Sequence, residues 1–517
     1  GSRLSSSNQF GTFGYGFQGE AGFLRLGRDG GYGKLEITNG GEVQIRNEFG
    51  TINDLPIVNV GRGYGGEGLL IVSGSGIPQG DDQPVASSLN IFQDGPANDG
   101  FNVGEYNGPL LQIGRTSGKG TVIAEYGAEI SVRGEDARIF VGQSSDGNGA
   151  APVSTLEIRT GATVEVRSIG YEVGAQVTVG TESTGSGRLT VDGGYLNITS
   201  DNIDNVSGSG GVELGANLSV GFYGEGDLVV QNGGRVIING YDDAYPSFGV
   251  GVYGTSRGTA LITGEGSQVI IGDPYGGGGG FPPPPGGGLP GGGGGAPTNP
   301  FGGGIIDVGN EDGTYGRLTI ADGGTVLNAM DNSLTQIGEK AGATGLLIVT
   351  GAGSALEAGS NLQIGVDFDR MTGASQDTGG DGTLRIENGG AVNVGLSVEI
   401  GSNGKLDLGG TLTITDALGV VENEGTIFVG GDSAIGDGDL NANLNNGMAG
   451  DLEFEFRGFA MGEFDTLELN YDAVATSMEG SDIVLDMSAL GVVNVGDSAT
   501  ILTFDSPGFP DLTWFLP

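Results

Sequence analysis

Histidine and cysteine are both absent from this 517-residue chain. Their absence excludes Ser-His-Asp and Cys-His nucleophile arrangements, His-ligated metal sites and any disulfide scaffold. Lysine is scarce, occurring only at Lys34, Lys119, Lys340 and Lys405, and 21 basic residues face 64 acidic ones, a net charge of −43. A surface of that sign repels nucleic acid and anionic membranes, which bind through cationic side chains, so no nucleic-acid partner is expected. No apolar run approaches the roughly 20 residues that span a bilayer, so no membrane span is expected. The opening GSRLSSSNQF lacks Met and an apolar signal core and reads as a mature terminus left after an export signal is removed. Walker-type phosphate loops are missing, and GxGxxG-like strings recur only because glycine does.

What the chain has is glycine, 111 residues of it, set between short aliphatic triplets. In 218–238, LSVGFYGEGDLVVQNGGRVII, three strand signals are separated by Gly221, by Gly-Glu-Gly and by Asn-Gly-Gly, and each alternates with period two. The first phrase recurs as LRLG ending at Gly27, VNVG at Gly61, LQIG at Gly114 and Gly365, IFVG at Gly142, VTVG at Gly180, FGVG at Gly251, IDVG at Gly309, TQIG at Gly338 and VEIG at Gly401. The second recurs as KLEI, RLTV, RLTI, LLIV and TLRI, and the third as NGGEVQI, DGGYLNI, DGGTVLN and NGGAVNV, in unvarying order. Three strands per repeat in fixed order predict that each phrase stacks on its equivalent in the next turn. That is an all-β fold, a three-sided parallel β-helix, expected to be right-handed like other large β-helices. Leu218, Val220, Leu228, Val230, Val236 and Ile238 are expected inside; Ser219, Gln231 and Arg235 are expected to face water. Eleven marker phrases predict a rod on the order of 50 Å long.

Along the chain, 1–22 reads as an N-terminal cap or docking segment carrying Phe10, Phe13 and Tyr15. Residues 23–439 read as the helix, with insertions at 76–108 and 273–304 and a shorter interruption at 200–213. The 273–304 insertion holds Phe281 and Pro282, Pro283, Pro284 and Pro285; four prolines fix a short polyproline II segment, either an extruded loop or a strap across a neighbouring subunit. Residues 440–517 read as a C-terminal β element that closes the rod, ending in DLTWFLP with Trp514, Phe515 and Leu516.

The LxVG, GxGxLxV and NGGxVxV phrases resemble the glycine-rich β-helical repeats of bacterial autotransporter passenger domains and related exported surface proteins, over roughly residues 24–505. GEFDTLELN…GDSATILTFDS is similar to the element that ends such passengers before an anchor. The resemblance implies export and an extracellular or bacterial cell-surface location. It leaves both activity and mode of attachment open.

Carboxylates are plentiful but fall on variable turns. Asp367, Asp369, Asp377 and Asp381 form the leading oxygen cluster for structural calcium, followed by Asp201 with Asp204 and by Asp432, Asp437 and Asp439. None matches an EF-hand loop or a GGxGxD roll, so solvated acidic turns are the simpler expectation and no other cofactor is expected. The function expected first is a non-enzymatic exported structural rod that self-assembles into an extracellular filament or surface layer of identical subunits. Unpaired strand edges at both ends supply the motive. A monomeric surface adhesin binding glycan or a host surface through loops such as 76–108 comes second, and a polysaccharide lyase or hydrolase third.

Overall fold

The structure, a computed structural model, describes residues 3–5, 23–47, 56–74, 86–93, 108–144, 152–169, 174–201, 214–240, 245–272, 303–330, 332–369, 374–376, 379–416, 418–430, 437–447, 449–455, 464–469, 482–486, 498–504 and 512–515. Every element among them is a strand. Three parallel ladders run the length of the molecule. The first face begins with Phe23–Arg28, pairs it with Ile57–Arg62, and ends at its thirteenth strand, Asn443–Asn446. The second runs from Tyr32–Thr38 to Asp482–Asp486, and the third from Glu42–Asn47 to Ser498–Phe504. The long strands Asp381–Val394 and Gly404–Ile414 turn a corner unbroken and belong to both the second and third faces. The expected three-sided parallel β-helix is therefore the fold.

Thirteen coils at the usual strand spacing give a rod of about 60 Å, longer than eleven phrases suggested. The extra rungs are Val420–Asn423 and Asn443–Asn446, whose phrases end in Asn where the others end in an aliphatic residue and Gly. Inside the coil those asparagines stack: Asn423 Nδ2 donates to Asn446 Oδ1 at 2.5 Å, both side chains being buried. An amide ladder thus takes the place of an aliphatic one without leaving that pair of groups unpaired.

Two further boundaries shift. Ser88–Gln93, inside the expected 76–108 insertion, is an ordinary third-face rung paired with Glu42–Asn47 and Glu129–Gly134. The parallel ladders also run through 440 to Phe504, so the strands after 439 are further coils of the same helix. Only Leu512–Phe515 pairs antiparallel, on Ser498–Phe504. At the opposite end Arg3–Ser5 lies antiparallel on Lys34–Glu36.

The core is the aliphatic column expected from the sequence. Leu218, Val220, Leu228, Val230, Val236 and Ile238 are at most 1% exposed, and equivalents line every coil. Each such side chain contributes about 1.5–3 kcal/mol of burial free energy, so the rod is stabilised coil by coil. The glycines at the corner between first and second faces are dictated by this stacking. Gly221 sits at φ +70°, and a Cβ there would lie 2.5 Å from the Arg257 carbonyl oxygen of the next coil. A Cβ on Gly226 would lie 2.2 Å from the Gly221 nitrogen. The LxVG and GxGxLxV phrases are therefore two halves of one interlocked corner. The Asn-Gly-Gly turn between second and third faces instead uses positive φ at Asn232 and Gly233 (54° and 75°), with Asn232 Nδ2 donating to Asp192 Oδ1 at 2.6 Å.

Candidate functional site

With the interior filled by aliphatic side chains, any binding or chemistry belongs to the outer faces and corners. On the third face, three successive rungs, Ser88–Gln93, Glu129–Gly134 and Thr163–Ser168, hold their outward residues in two columns. Register places Asn90, Ser131 and Glu165 in one column and Phe92, Arg133 and Arg167 in the other. All of these but Arg167, together with Glu129, Gln93 and Ile169, line a groove of about 500 Å³. The Arg46 guanidinium lies 5.0 Å from the centre of the Phe92 ring, so cations flank both sides of that aromatic along the column. Arg167 Nε donates to Asp201 at 2.6 Å, which fixes one end of the column. Arg133 has no carboxylate partner among the described residues.

This groove combines a flat aromatic face, a guanidinium fork, two carboxylates and amide and hydroxyl groups, a set suited to a polyhydroxylated ligand. It was not visible in the sequence, because Phe92, Arg133 and Glu165 become neighbours only through the coil. The available signal was the polar outward residue of each third-face phrase, SLNIFQ, EISVRG and TVEVRS, which reads locally as solvated surface.

The first face departs from expectation in one respect. Its middle outward column is buried: Asn59, Gln112, Thr178, Ser219, Gln336 and Gln363 are each at most 6% exposed. Ser219, expected in water, is 1% exposed and donates from Oγ to Asn217 Oδ1 at 2.6 Å. Farther along, Gln336 donates to Gln363 at 3.3 Å and Gln363 to Glu399 at 2.9 Å. These residues form a polar furrow whose amides bond from rung to rung. Beside it, on the corner toward the second face, Phe222, Tyr223 and Tyr253 make an aromatic cluster with ring centres 4.9–5.4 Å apart, Tyr223 being 46% exposed.

Among the described residues the candidate calcium ligands form no cluster. Asp367 and Asp369 lie on a short strand paired antiparallel with Ala374–Gln376, Asp381 opens a second-face strand, and Asp377 falls outside the described residues. The Asp367 carboxylate accepts from Lys340 Nζ, and that ammonium also lies 3.3 Å from Glu339. Burial alone would depress Lys340, but the bond to Asp367 and the Glu339 charge outweigh it and hold its pKa above the ordinary lysine value. A cation would have to displace this ammonium. Asp201 is paired with Arg167, Asp437 accepts from Thr466 and Asp439 from Thr411 at 3.4 Å, while Asp204 and Asp432 lie outside the described residues. Among the described residues, no three carboxylates gather as a metal site.

Of the expected joining parts, Phe10, Phe13, Tyr15, Phe281, Pro282–Pro285 and Leu516 lie outside the described residues. The backbone of Trp514 and Phe515 is described, and it is paired within the chain, opposite Ala499 and Ser498.

No protein-family profile matches the chain, and no curated protein matches it. Among solved structures, a TibA fragment spanning residues 55–350, hyper-glycosylated by TibC, aligns with 74% of this chain and 93% of its own. The identity is 16% and the TM-score 0.25, too loose to carry any residue-by-residue correspondence.

Proposed function

We propose that the protein is a non-enzymatic, exported β-helix rod of the bacterial cell surface, of the autotransporter-passenger kind, that binds saccharide through its third face. The observation that carries this reading is the groove of Phe92, Arg133, Glu129 and Glu165, built on three rigid rungs. Such a platform holds its groups in place at little entropic cost, which favours recognition of a ligand with many weak contacts. The repeat phrases support export and surface display, as does the acidic, cysteine-free composition.

Binding to immobilised glycans, measured for the intact chain and for Phe92→Ala and Arg133→Ala, tests the reading. Glycans retained by the parent and bound at least tenfold more weakly by both variants are expected. Equal retention by parent and variants would remove the groove from the account. A pair of carboxylates is also what glycoside cleavage uses. Release of reducing ends that disappears in Glu129→Gln would therefore convert the reading to an enzyme.

The filament reading keeps one supporting observation. The terminal first-face strands Phe23–Arg28 and Asn443–Asn446 carry no covering strand among the described residues. Its original motive is weaker at the other faces, where Arg3–Ser5 and Leu512–Phe515 cover an edge. Sedimentation separates the two readings: a single species of chain mass fits the adhesin, a concentration-dependent polymer the filament.

A further inference from the structure

Several arginines of this rod sit on carboxylates of the same or a neighbouring rung. Arg138 pairs with Asp136, Arg159 with Glu125 and Glu157, Arg188 with Asp227, and Arg385 with Asp407. The first three coils instead set arginines against one another. Arg28, Arg62 and Arg115 follow the corner glycines Gly27, Gly61 and Gly114 and are stacked in register, rung on rung. Backbone bonds lock the column: the Asp29 N–H donates to the Arg62 carbonyl and the Gly63 N–H to the Arg115 carbonyl, both at 2.9 Å. Arg25 stands in the adjoining column on the first rung, its guanidinium 4.7 Å from the Phe23 ring centre. Four guanidinium groups thus share one patch, and the single carboxylate bonded to them among the described residues is Asp29, 2.7 Å from Arg28. Such clustering is costly unless something anionic offsets it. Burial, then Arg28 and Arg115, hold Arg25 below the ordinary arginine value; burial, then Arg115, Arg25 and Arg28, do the same to Arg62.

The neighbouring column carries a second, independent mark. Asn59 and Gln112 lie in register beside Arg25, each 2% exposed, and the Asn59 Oδ1 and Arg25 Nε atoms are enclosed without a hydrogen-bond partner. Buried polar atoms without partners are rare in folded proteins. Next in the arginine column stands Gln143, and the tip of the Arg62 turn carries Tyr64, 82% exposed.

We propose that this arginine ladder is a binding site for a linear acidic polysaccharide, its carboxylate or sulfate groups taken in turn by Arg28, Arg62 and Arg115. Guanidinium forks match both oxyanions bidentately, and the rung spacing of about 4.8 Å is comparable with the length of one sugar unit. Arg115 donates to Gln112 Oε1 at 3.4 Å and Gln112 donates to Gln143, so buried amides orient the end of the ladder, and the exposed Tyr64 offers a face for a ring. The net negative charge of the rod does not oppose this in salt: at about 0.1 M the screening length is about 10 Å, so distant carboxylates fade while the ladder acts at contact. The site lies on the first face, so it does not depend on the third-face groove proposed above.

The test uses the full chain with three probes, polygalacturonate, dextran sulfate and neutral dextran, in about 0.1 M salt. The ladder variant carries Arg62→Gln and Arg115→Gln; the control removes the same charge elsewhere through Arg188→Gln and Arg317→Gln. Expected is binding of at least one charged probe but not neutral dextran, weakened at least tenfold in the ladder variant and within twofold of the parent in the control. The thermal midpoints of both variants should match, showing that each has folded. Preference between the charged probes assigns carboxylate or sulfate. The proposal is overturned if neither charged probe binds, if the control loses as much as the ladder variant, or if the ladder variant's only defect is lost self-association. Unchanged polyanion binding in Phe92→Ala separates failure of this site from failure of the groove.

Discussion

Gly221→Ala places a methyl group where two coils meet, and its cost can be worked from the geometry. The residue sits at φ +70°, where an alanine is strained by about 1–2 kcal/mol. Its Cβ would also lie 2.5 Å from the Arg257 carbonyl oxygen and 2.6 Å from the Arg257 carbonyl carbon, so the next coil must lift. Overpacking of that kind adds about 1–3 kcal/mol, giving roughly 3 kcal/mol in all. Gly233→Ala is the matched control: φ is +75°, yet nothing lies within 4 Å of the added methyl, so only about 1 kcal/mol is expected. Because a solenoid is stabilised by nearest-neighbour interfaces, the effect should be local. Hydrogen exchange in Leu214–Val220 and Arg257–Thr263 should accelerate about a hundredfold in Gly221→Ala, at about 1.4 kcal/mol per tenfold. In Gly233→Ala the acceleration should stay near fivefold. Equal acceleration in both would mean that backbone conformation alone, not interlocking, fixes the glycine columns.

Three further outcomes are expected. Arg385→Met removes the guanidinium 2.8 Å from the Asp407 carboxylate, which is 3% exposed. With a third of the arginine in water, the loss should be about 2 kcal/mol, measured as a lowered urea midpoint. Deleting 511–517 uncovers the third-face edge Ser498–Phe504, so light scattering should show more self-association; less would mean that the tail is a joining part. A chelator should leave the thermal midpoint unchanged, since the Asp367 carboxylate is already held by Lys340; a fall would establish structural calcium.

The architecture was legible because period-two triplets and corner glycines are local signals repeated coil after coil. Rungs ending in Asn423 and Asn446 carry no such signal, because amide stacking does there what aliphatic packing does elsewhere. SLNIFQ reads as part of an insertion because Pro- and Asp-rich segments flank it on both sides, yet its alternation is that of any third-face rung. The surface sites were hidden for a different reason. Phe92 and Arg133, or Arg28 and Arg115, are far apart in sequence and meet only once the register is fixed. Ser219 shows the limit of alternation itself: it points outward, and the furrow covers it.

The rod and both of its proposed sites require equivalent residues to stack in parallel register, and the cysteine-free chain allows that to be measured with pairs of spin labels. On the second face, Thr121, Arg188, Arg317 and Thr383 occupy one outward column. Backbone separations should be about 24 Å for Thr121 with Arg317 and for Arg188 with Thr383, and about 34 Å for Thr121 with Thr383, growing by one strand spacing per rung. Distances that do not rise in proportion to rung number would contradict the solenoid and, with it, both proposed sites.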